Sequence, residues 1–317
     1  MLVSVNDRAV PLAEALVPLI AAAAPIAPER FTGRLRELVT GEPQEAAKGL
    51  PFYMLVADAE LYARAAAGVA AIEREFAEHG RDEDKECLAY VLHAAAGSSA
   101  KLFPNSPYPR DCDASGLRAD RTAASGDGKR LADFGAHPNA VTAGLRPEHV
   151  LAIRLYSTAA FKSINEPLRE RGRTVPHPFP ATVHFLAEAL KRLRTVTAGT
   201  ADAHDTLDLW RGMAHTDLKA DAAFFRRGGT ELAPMSTTAD AGVAVAYAAS
   251  ARALVFKVRS TSFMDRGADI SWCSAFPAEK EYLYPPLTYL KPTGRREVVQ
   301  EGATELQVVE VAASIGS

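Results

Sequence analysis

The sequence predicts an α+β fold, and two observations carry that expectation. Over residues 1 to about 98, and again from Pro147 to about Val196, apolar residues recur at helical spacing, whereas beyond Thr206 the chain turns to short runs of β-branched and aromatic residues between turn signals. Those later runs follow one another through mostly short loops. That pattern favours a mixed or antiparallel sheet assembly over a doubly wound parallel sheet. No internal repeat and no coiled-coil heptad run competes with this reading.

Taken in order, Leu12 to Ala27 is apolar but interrupted by Glu14 and by prolines. It lacks a basic flank and is too short to span a bilayer, so it reads as a core-packing helix and loop. Residues 1 to about 98 read as helical. Phe52, Leu55, Val56, Ala59 and Tyr62 form one apolar face, and Cys87, Tyr90, Val91 and Ala94 form another. From Phe103 to Asn139 the stretches PNSPYPRDCDASG and AASGDGKR have the composition of an irregular connector. The expected division is a helical region over 1–100, a connector over 101–140 and a second domain over 141–317.

In that domain a helical module opens at Pro147-Glu148 and continues to Arg169, and a second helix spans about Thr182 to Val196. The basic residues between Lys162 and Arg194 read as a solvated helix face, or as a surface for NAD phosphates, an acidic partner or nucleic acid. Strands are expected at LDLWRGM, ELAPMSTT, ALVFKVRS, DISWCSAF, EYLYPPLTYL and LQVVEVAAS. One helix, Ala239 to Ser250, interrupts them, while Gly228-Gly229 and Gly294-Arg295-Arg296 read as turns.

Composition narrows the function classes. Hydrophobic residues at 48% and charged residues at 24% are globular values, and a formal net charge of -3 argues against nonspecific coating of nucleic acid. Cys87, Cys112 and Cys273 are odd in number and widely spaced, which suits a reducing compartment and a cytoplasmic protein. None of the eight histidines sits in a metal-binding pattern, so no metal is expected. The absence of a G-x-S-x-G elbow, a P-loop and a G-x-G-x-x-G turn leaves triad hydrolases, P-loop kinases and Rossmann dehydrogenases unsupported.

Three strand-borne elements carry chemistry. In Glu279-Lys280-Glu281, strand alternation would point both carboxylates the same way, about 6–7 Å apart. Such a pair can divide labour, one stabilising a cationic transition state while the other activates a nucleophile, although a solvated strand edge shows the same pattern. Arg211 stands in an otherwise apolar strand, where a guanidinium needs an anionic partner: a phosphate, or a carboxylate in a structural ion pair. Gly212 beside it allows close approach to the backbone. Ser236 and Thr238 share a strand face and can hold a carboxylate by hydrogen bonds; Thr238 alone also reads as a helix N-cap.

In this order the elements resemble the R-S-E class of mono-ADP-ribosyltransferases. The stretch ISWCSAFPAEKEYLYPPLTYL is similar to that family's acceptor-recognition turn running into its catalytic strand. Tyr156-Ser157-Thr158, Phe161, Ile164-Asn165 and Leu168-Arg169 resemble the helix packed over its NAD site. The resemblance covers about residues 135 to 312. It implies an ADP-ribosyltransferase fold, with two small packed sheets and an NAD cleft beneath a helical lobe.

The implied reaction is transfer of ADP-ribose from NAD+ to an arginine side chain of a protein, releasing nicotinamide, with no metal, membrane or nucleic-acid partner. By resemblance, Arg211 would grip the NAD pyrophosphate or adjoining ribose and the Gly212 backbone would hold the nicotinamide amide. Ser236, with Thr238 beside it, would orient Glu281, which would stabilise the oxocarbenium-like centre. Glu279 would deprotonate the acceptor, and Tyr156, Phe161 and Asn165 would line the nicotinamide and phosphate side. Two departures stand out: the second motif reads S-T-T, and Phe161 occupies a position where some toxins have tyrosine. Alternatives are an NAD glycohydrolase, transfer to guanine or a small guanidino compound, and a catalytically silent NAD-binding module. Guanine-modifying relatives tend to carry Gln at the Glu279 position.

Overall fold

Strand order, and the way each face of the sheet is covered, determine where the candidate residues stand. The computed structural model describes residues 1–5, 8–23, 68–92, 129–170, 175–214, 222–250 and 252–315. The helix expected through Phe52 and Tyr62, and the connector around Asp111-Cys112-Asp113, lie outside these residues. The chain divides into two compact units, one of Met1–Gly49, Ala201–Gly267 and Glu279–Ser317, the other of Leu50–Thr200 and Ala268–Ala278.

The first unit holds the strands β1 (Leu2–Val5), β2 (Arg8–Pro11), β3 (Leu207–Ala214), β4 (Gly229–Glu231) and β5 (Met235–Thr238). Beyond them come β6 (Arg252–Ser260), β7 (Glu281–Tyr284), β8 (Thr288–Glu301) and β9 (Thr304–Ser314). In the main sheet these run in the order β4-β8-β9-β6-β3-β5-β7. Only β9 and β6 pair in parallel among them, so the sheet is mixed. β3 pairs with β6 along its whole length, from Leu207↔Ser260 to Ala214↔Ala253, but with β5 only through Trp210↔Thr238. That single bridge divides the sheet into a large part ending at β3 and a small part, β5-β7.

Period-two alternation sorts the sheet's side chains into two cores. Leu209, Met213, Leu254, Phe256 and Val258 fall on one face. Trp210, Ala253 and Val255 fall on the other, under the helix Ala241–Ala248.

Four sequence expectations are corrected here. The first residues are not helical: β1 and β2 form an antiparallel hairpin before the helix Leu12–Ala22. DISWCSAF is not a strand beyond Asp269, because Ile270 to Phe276 form turns. Gly294-Arg295-Arg296 does not end a strand but lies within β8, at a bulge where Gly294 takes φ +88°. The helix after β5 begins at Ala241 and is capped by Asp240, whose Oδ1 accepts from the Gly242 N–H, so Thr238 is not its N-cap.

The N-terminal segment belongs to this core. Leu12 and Leu16, one helical turn apart, are 0% and 1% exposed and pack with Val3, Trp210, Ala244 and Ala248. Leu12→Ala is therefore expected to destabilise the protein by about 2–5 kcal/mol in urea denaturation, as for other buried leucines.

In the second unit the helix Pro147–Tyr156 is buried on every side among Gly68–His79, Asp82–Leu92, Leu131–Gly135 and Pro180–Ala198. The module expected to run unbroken to Arg169 stops at Tyr156 and restarts at Phe161. The Ser157 and Thr158 hydroxyls donate back to the carbonyls of Arg154 and Leu155, a local bond that competes with helix continuation. Short helices at Leu131–Gly135 and Pro138–Thr142 stand where an irregular connector was expected.

Two carboxylates secure the helix Pro180–Ala198, the longest of this unit among the described residues. Glu75 accepts from the Ala181 and Thr182 N–H groups and from the Thr182 hydroxyl, capping the start of Pro180–Ala198 from outside that helix. Burial pushes its carboxyl up to about 7 against the opposing pull of those donors. Further along, Glu188 accepts from His149 Nε2 at 3.1 Å and from Arg192 Nε at 3.0 Å. Burial works against ionisation there too, but the His149 and Arg192 hydrogen bonds outweigh it and hold Glu188 down at about 2.

A carboxyl whose folded pKa lies below its unfolded value stabilises the protein above the unfolded value, about 4.5. That stabilisation is lost as pH falls through about 2. Urea midpoints measured across this acid range should decline more steeply for the natural protein than for Glu188→Gln.

Candidate active site

Glu279 and Glu281 are neighbours in sequence but occupy different local structures. Glu281 opens β7, whereas Glu279 closes a 3-10 turn, Pro277–Glu279, and Lys280 between them takes φ +48°. The expectation that both glutamates alternate along one extended strand is therefore corrected. A left-handed residue reverses the backbone just before the strand starts, at a cost of about 1–2 kcal/mol for a side chain such as lysine. Hydrogen bonds from the end of β5 and the residue after it hold it there. The Thr238 hydroxyl donates to the Glu279 carbonyl, and the Ala239 N–H donates to the Lys280 carbonyl at 3.2 Å.

Strand register then sets the side chains. β5 and β7 pair with Thr238 opposite Glu281 and Ser236 opposite Leu283. The Ser236 hydroxyl donates to Glu281 Oε1 at 2.6 Å, so Glu281, only 5% exposed, is oriented by a short charge-assisted bond. Glu279 is likewise buried, and its Oε1 accepts from the Tyr247 hydroxyl at 2.6 Å. Sequence reasoning missed Tyr247; the available signal was a single phenol in the otherwise small and apolar helix AGVAVAYA.

Arg211 reaches the same neighbourhood from β3. Its Nη1 donates to the Ser236 carbonyl at 3.4 Å and its Nη2 lies 3.7 Å from Glu231 Oε2. Glu231 is fully buried, and its other oxygen accepts from the Ala233 N–H at 3.1 Å. The anionic partner that a buried guanidinium requires is thus a second missed residue. An acid inside a short strand was its signal, the same kind that singled out Arg211. Arg211, Ser236, Thr238, Glu279 and Glu281 accordingly gather in the first unit around one reversed turn.

Gly212 stands beside Arg211 in β3, and the other predicted residues, Tyr156, Phe161 and Asn165, lie in the second unit. Asn165 Nδ2 donates to the Tyr156 hydroxyl at 3.1 Å, and the Tyr156 and Phe161 ring centres are 6.3 Å apart. Asn165 is 3% exposed, and its Oδ1 has no hydrogen-bond partner among the described residues. A buried acceptor of this kind calls for a donor beyond the described residues. The turn Ile270 to Phe276 is pinned to the same unit. The fully buried Arg154 donates to the Cys273 carbonyl at 2.9 Å and lies 3.9 Å over the Phe134 ring, while the Ala275 N–H donates to Ser157 Oγ at 2.8 Å. Among the described residues no group of three or more His, Cys, Asp or Glu is arranged to hold a metal ion.

Comparison with known proteins identifies the family. The sequence profile of NAD:arginine ADP-ribosyltransferases matches residues 121–314, more than half of the chain. The chain belongs to this ADP-ribosyltransferase family. Its α+β architecture with a mixed sheet is the fold of that family, and its co-substrate is NAD+.

Solved structures to which it is similar include the ADP-ribosyltransferase HopU1 of Pseudomonas syringae pv. Tomato, at 20% identity over 73% of this chain and 97% of that one, with a TM-score of 0.43. The eucaryotic mono-ADP-ribosyltransferase ART2.2 matches at 12% identity over 82% and 90%, also at 0.43. Exoenzyme S of Pseudomonas aeruginosa, in complex with human 14-3-3 protein beta and bound to carba-NAD, matches at 20% identity over 57% and 80%, at 0.42. No curated protein sequence matches.

In this ADP-ribosyltransferase the glycine after Arg211 has a structural reason to be glycine. A Cβ on Gly212 would lie 1.8 Å from the Ala244 carbonyl oxygen, because the helix Ala241–Ala248 packs its backbone directly onto β3. The close approach at this position is made by the helix backbone at Ala244. Gly212→Ala should consequently cost about 3 kcal/mol in chemical denaturation, at the upper end of overpacking penalties, whether or not NAD+ is present.

Proposed function

We propose that this protein is an arginine-specific mono-ADP-ribosyltransferase of the R-S-E class, moving ADP-ribose from NAD+ to a guanidinium on a target protein. The observation that carries this reading is the pair of individually secured carboxylates, Glu281 on the Ser236 hydroxyl and Glu279 on the Tyr247 hydroxyl. Each has its own donor on a separate element, which suits two different tasks.

Glu281 would hydrogen-bond the nicotinamide ribose and stabilise the positive charge that grows on its anomeric carbon as nicotinamide leaves. Fixed charge placed where charge develops is often the largest catalytic term, and losing one such contact commonly costs about 10²–10³ in rate. Glu279 would take a proton from the acceptor, a step an arginine requires because its pKa above about 12 leaves it charged and a poor nucleophile.

Arg211 would hold the NAD+ pyrophosphate or adjoining ribose, its fork oriented by Glu231 and the Ser236 carbonyl. The backbone of Gly212 would receive the nicotinamide amide, and Thr238 would keep the reversed turn in place. Tyr156, Phe161 and Asn165 would line the nicotinamide and phosphate side, with the orphaned Asn165 Oδ1 accepting from the ligand. The partner is a protein with an accessible arginine, and no metal takes part.

The test is label transfer from a tagged NAD+ onto polyarginine and lysate proteins, with nicotinamide release followed in parallel. Glu281→Ala should abolish both signals, and Glu279→Ala should abolish transfer while nicotinamide release continues. Tyr247→Phe, which removes one hydrogen bond to a charged group, should slow transfer roughly tenfold and spare release. Undiminished arginine labelling by Glu279→Ala would refute the division of labour. Nicotinamide release by the natural protein with no acceptor labelled would make it an NAD glycohydrolase instead.

A further inference from the structure

Successive side chains of β3 point to opposite faces, so Trp210 faces away from Arg211. On the Trp210 face lies a cavity of about 1100 Å3 to which the transfer chemistry assigns nothing. Its floor is a buried charge network. Lys257, 2% exposed, places Nζ 3.1 Å from Asp208 Oδ2 and 3.4 Å from Glu310 Oε2. Around it stand Arg259, Arg295 and Arg296, all exposed. Arg295 leans towards Glu310 at 3.8 Å, while Arg259 and Arg296 form no ion pair among the described residues.

The arginines are brought there by the bulge in β8. The register passes from Pro292↔Val311 to Arg296↔Val309, leaving three residues of β8 opposite Glu310 alone. Gly294 supplies the left-handed backbone, and the Thr293 hydroxyl ties the bulge to Glu310 Oε1 at 3.0 Å. Bulges re-aim side chains, and this one delivers two consecutive arginines to one cavity.

We propose that this cavity is a second anion site, taking a small polyphosphate-bearing molecule whose phosphates lie on Arg259, Arg295 and Arg296. Four cations line the cavity against Asp208, with Glu310 engaged by Lys257 and Arg295, so the balance facing an incoming ligand is positive. Guanidinium forks match phosphate oxygens in pairs, and a concave site lined by one sign of charge concentrates counter-charged ligands. The volume lies just above the usual span of small-molecule pockets, roughly 300–1,000 Å3, and exceeds what a lone phosphate fills. None of these residues takes part in the proposed transfer, so the site stands whether or not arginine is the acceptor.

Titration calorimetry of the full chain with inorganic tripolyphosphate tests this. Saturable binding is expected, weakening as salt is raised. Arg259→Ala/Arg296→Ala should raise Kd about tenfold or more, since each loses a charge-assisted contact, with the urea midpoint unchanged because both residues are exposed. Arg295→Ala, read separately, should weaken binding in the same direction. Arg211→Lys should leave Kd as it was, because that arginine faces the other side of β3. Absence of saturable binding, or natural affinity in the double variant, would overturn the proposal. So would loss of binding in Arg211→Lys alone, which would assign the anion to the NAD+ site.

Discussion

Thr238 meets Glu281 across the β5–β7 ladder while its hydroxyl holds the carbonyl of Glu279, and the candidate site depends on this clasp. A lysine in the left-handed region is unfavourable alone, and it persists because Thr238 and Ala239 bond to the carbonyls on either side of it. The reversal takes Glu279 out of the strand, where Tyr247 receives it, while Glu281 stays in register with Ser236 within reach. Two carboxylates separated by one residue thereby obtain different donors and different environments. Strand alternation would have given them a shared face.

The same small part of the sheet is anchored to the large part at a single point, the Trp210↔Thr238 pair. What lies behind that point therefore matters. The helix Ala241–Ala248 sits so close to β3 that only glycine fits at 212, and Leu12 and Leu16 from the N-terminal helix pack into the same cluster as Trp210. A segment that reads as a separate helical region is, over its first residues, part of the support for β3, the strand that carries Arg211. Removing it would expose the rear of Trp210 and leave part of that core uncovered.

Much of the fold was legible because the sheet follows simple periodicity. Leu209, Trp210 and Met213 alternate between two cores as their spacing implies, and β3, β6 and β9 lie within a residue or two of the runs that announce them. The hairpin at Leu2–Pro11 was not legible, because two four-residue strands are too short to show alternation against an Ala-rich background. The break at Ser157–Ala160 was also hidden, since it depends on hydroxyls turning back to carbonyls inside a stretch with a continuous apolar face.

The sequence by itself determined which chemical groups are present: two carboxylates a residue apart, a hydroxyl-rich strand end, and an arginine in an apolar run. Those follow from residue identity and order, and order is what family resemblance reads. Only the tertiary structure decided how each group is held. Glu231 beside Arg211, Tyr247 on Glu279 and the reversed Lys280 all arise from residues brought together by strand pairing and helix packing. A hydrogen bond or ion pair is set by distances of a few ångströms in space, and sequence separation carries almost no information about those distances until the sheet has closed.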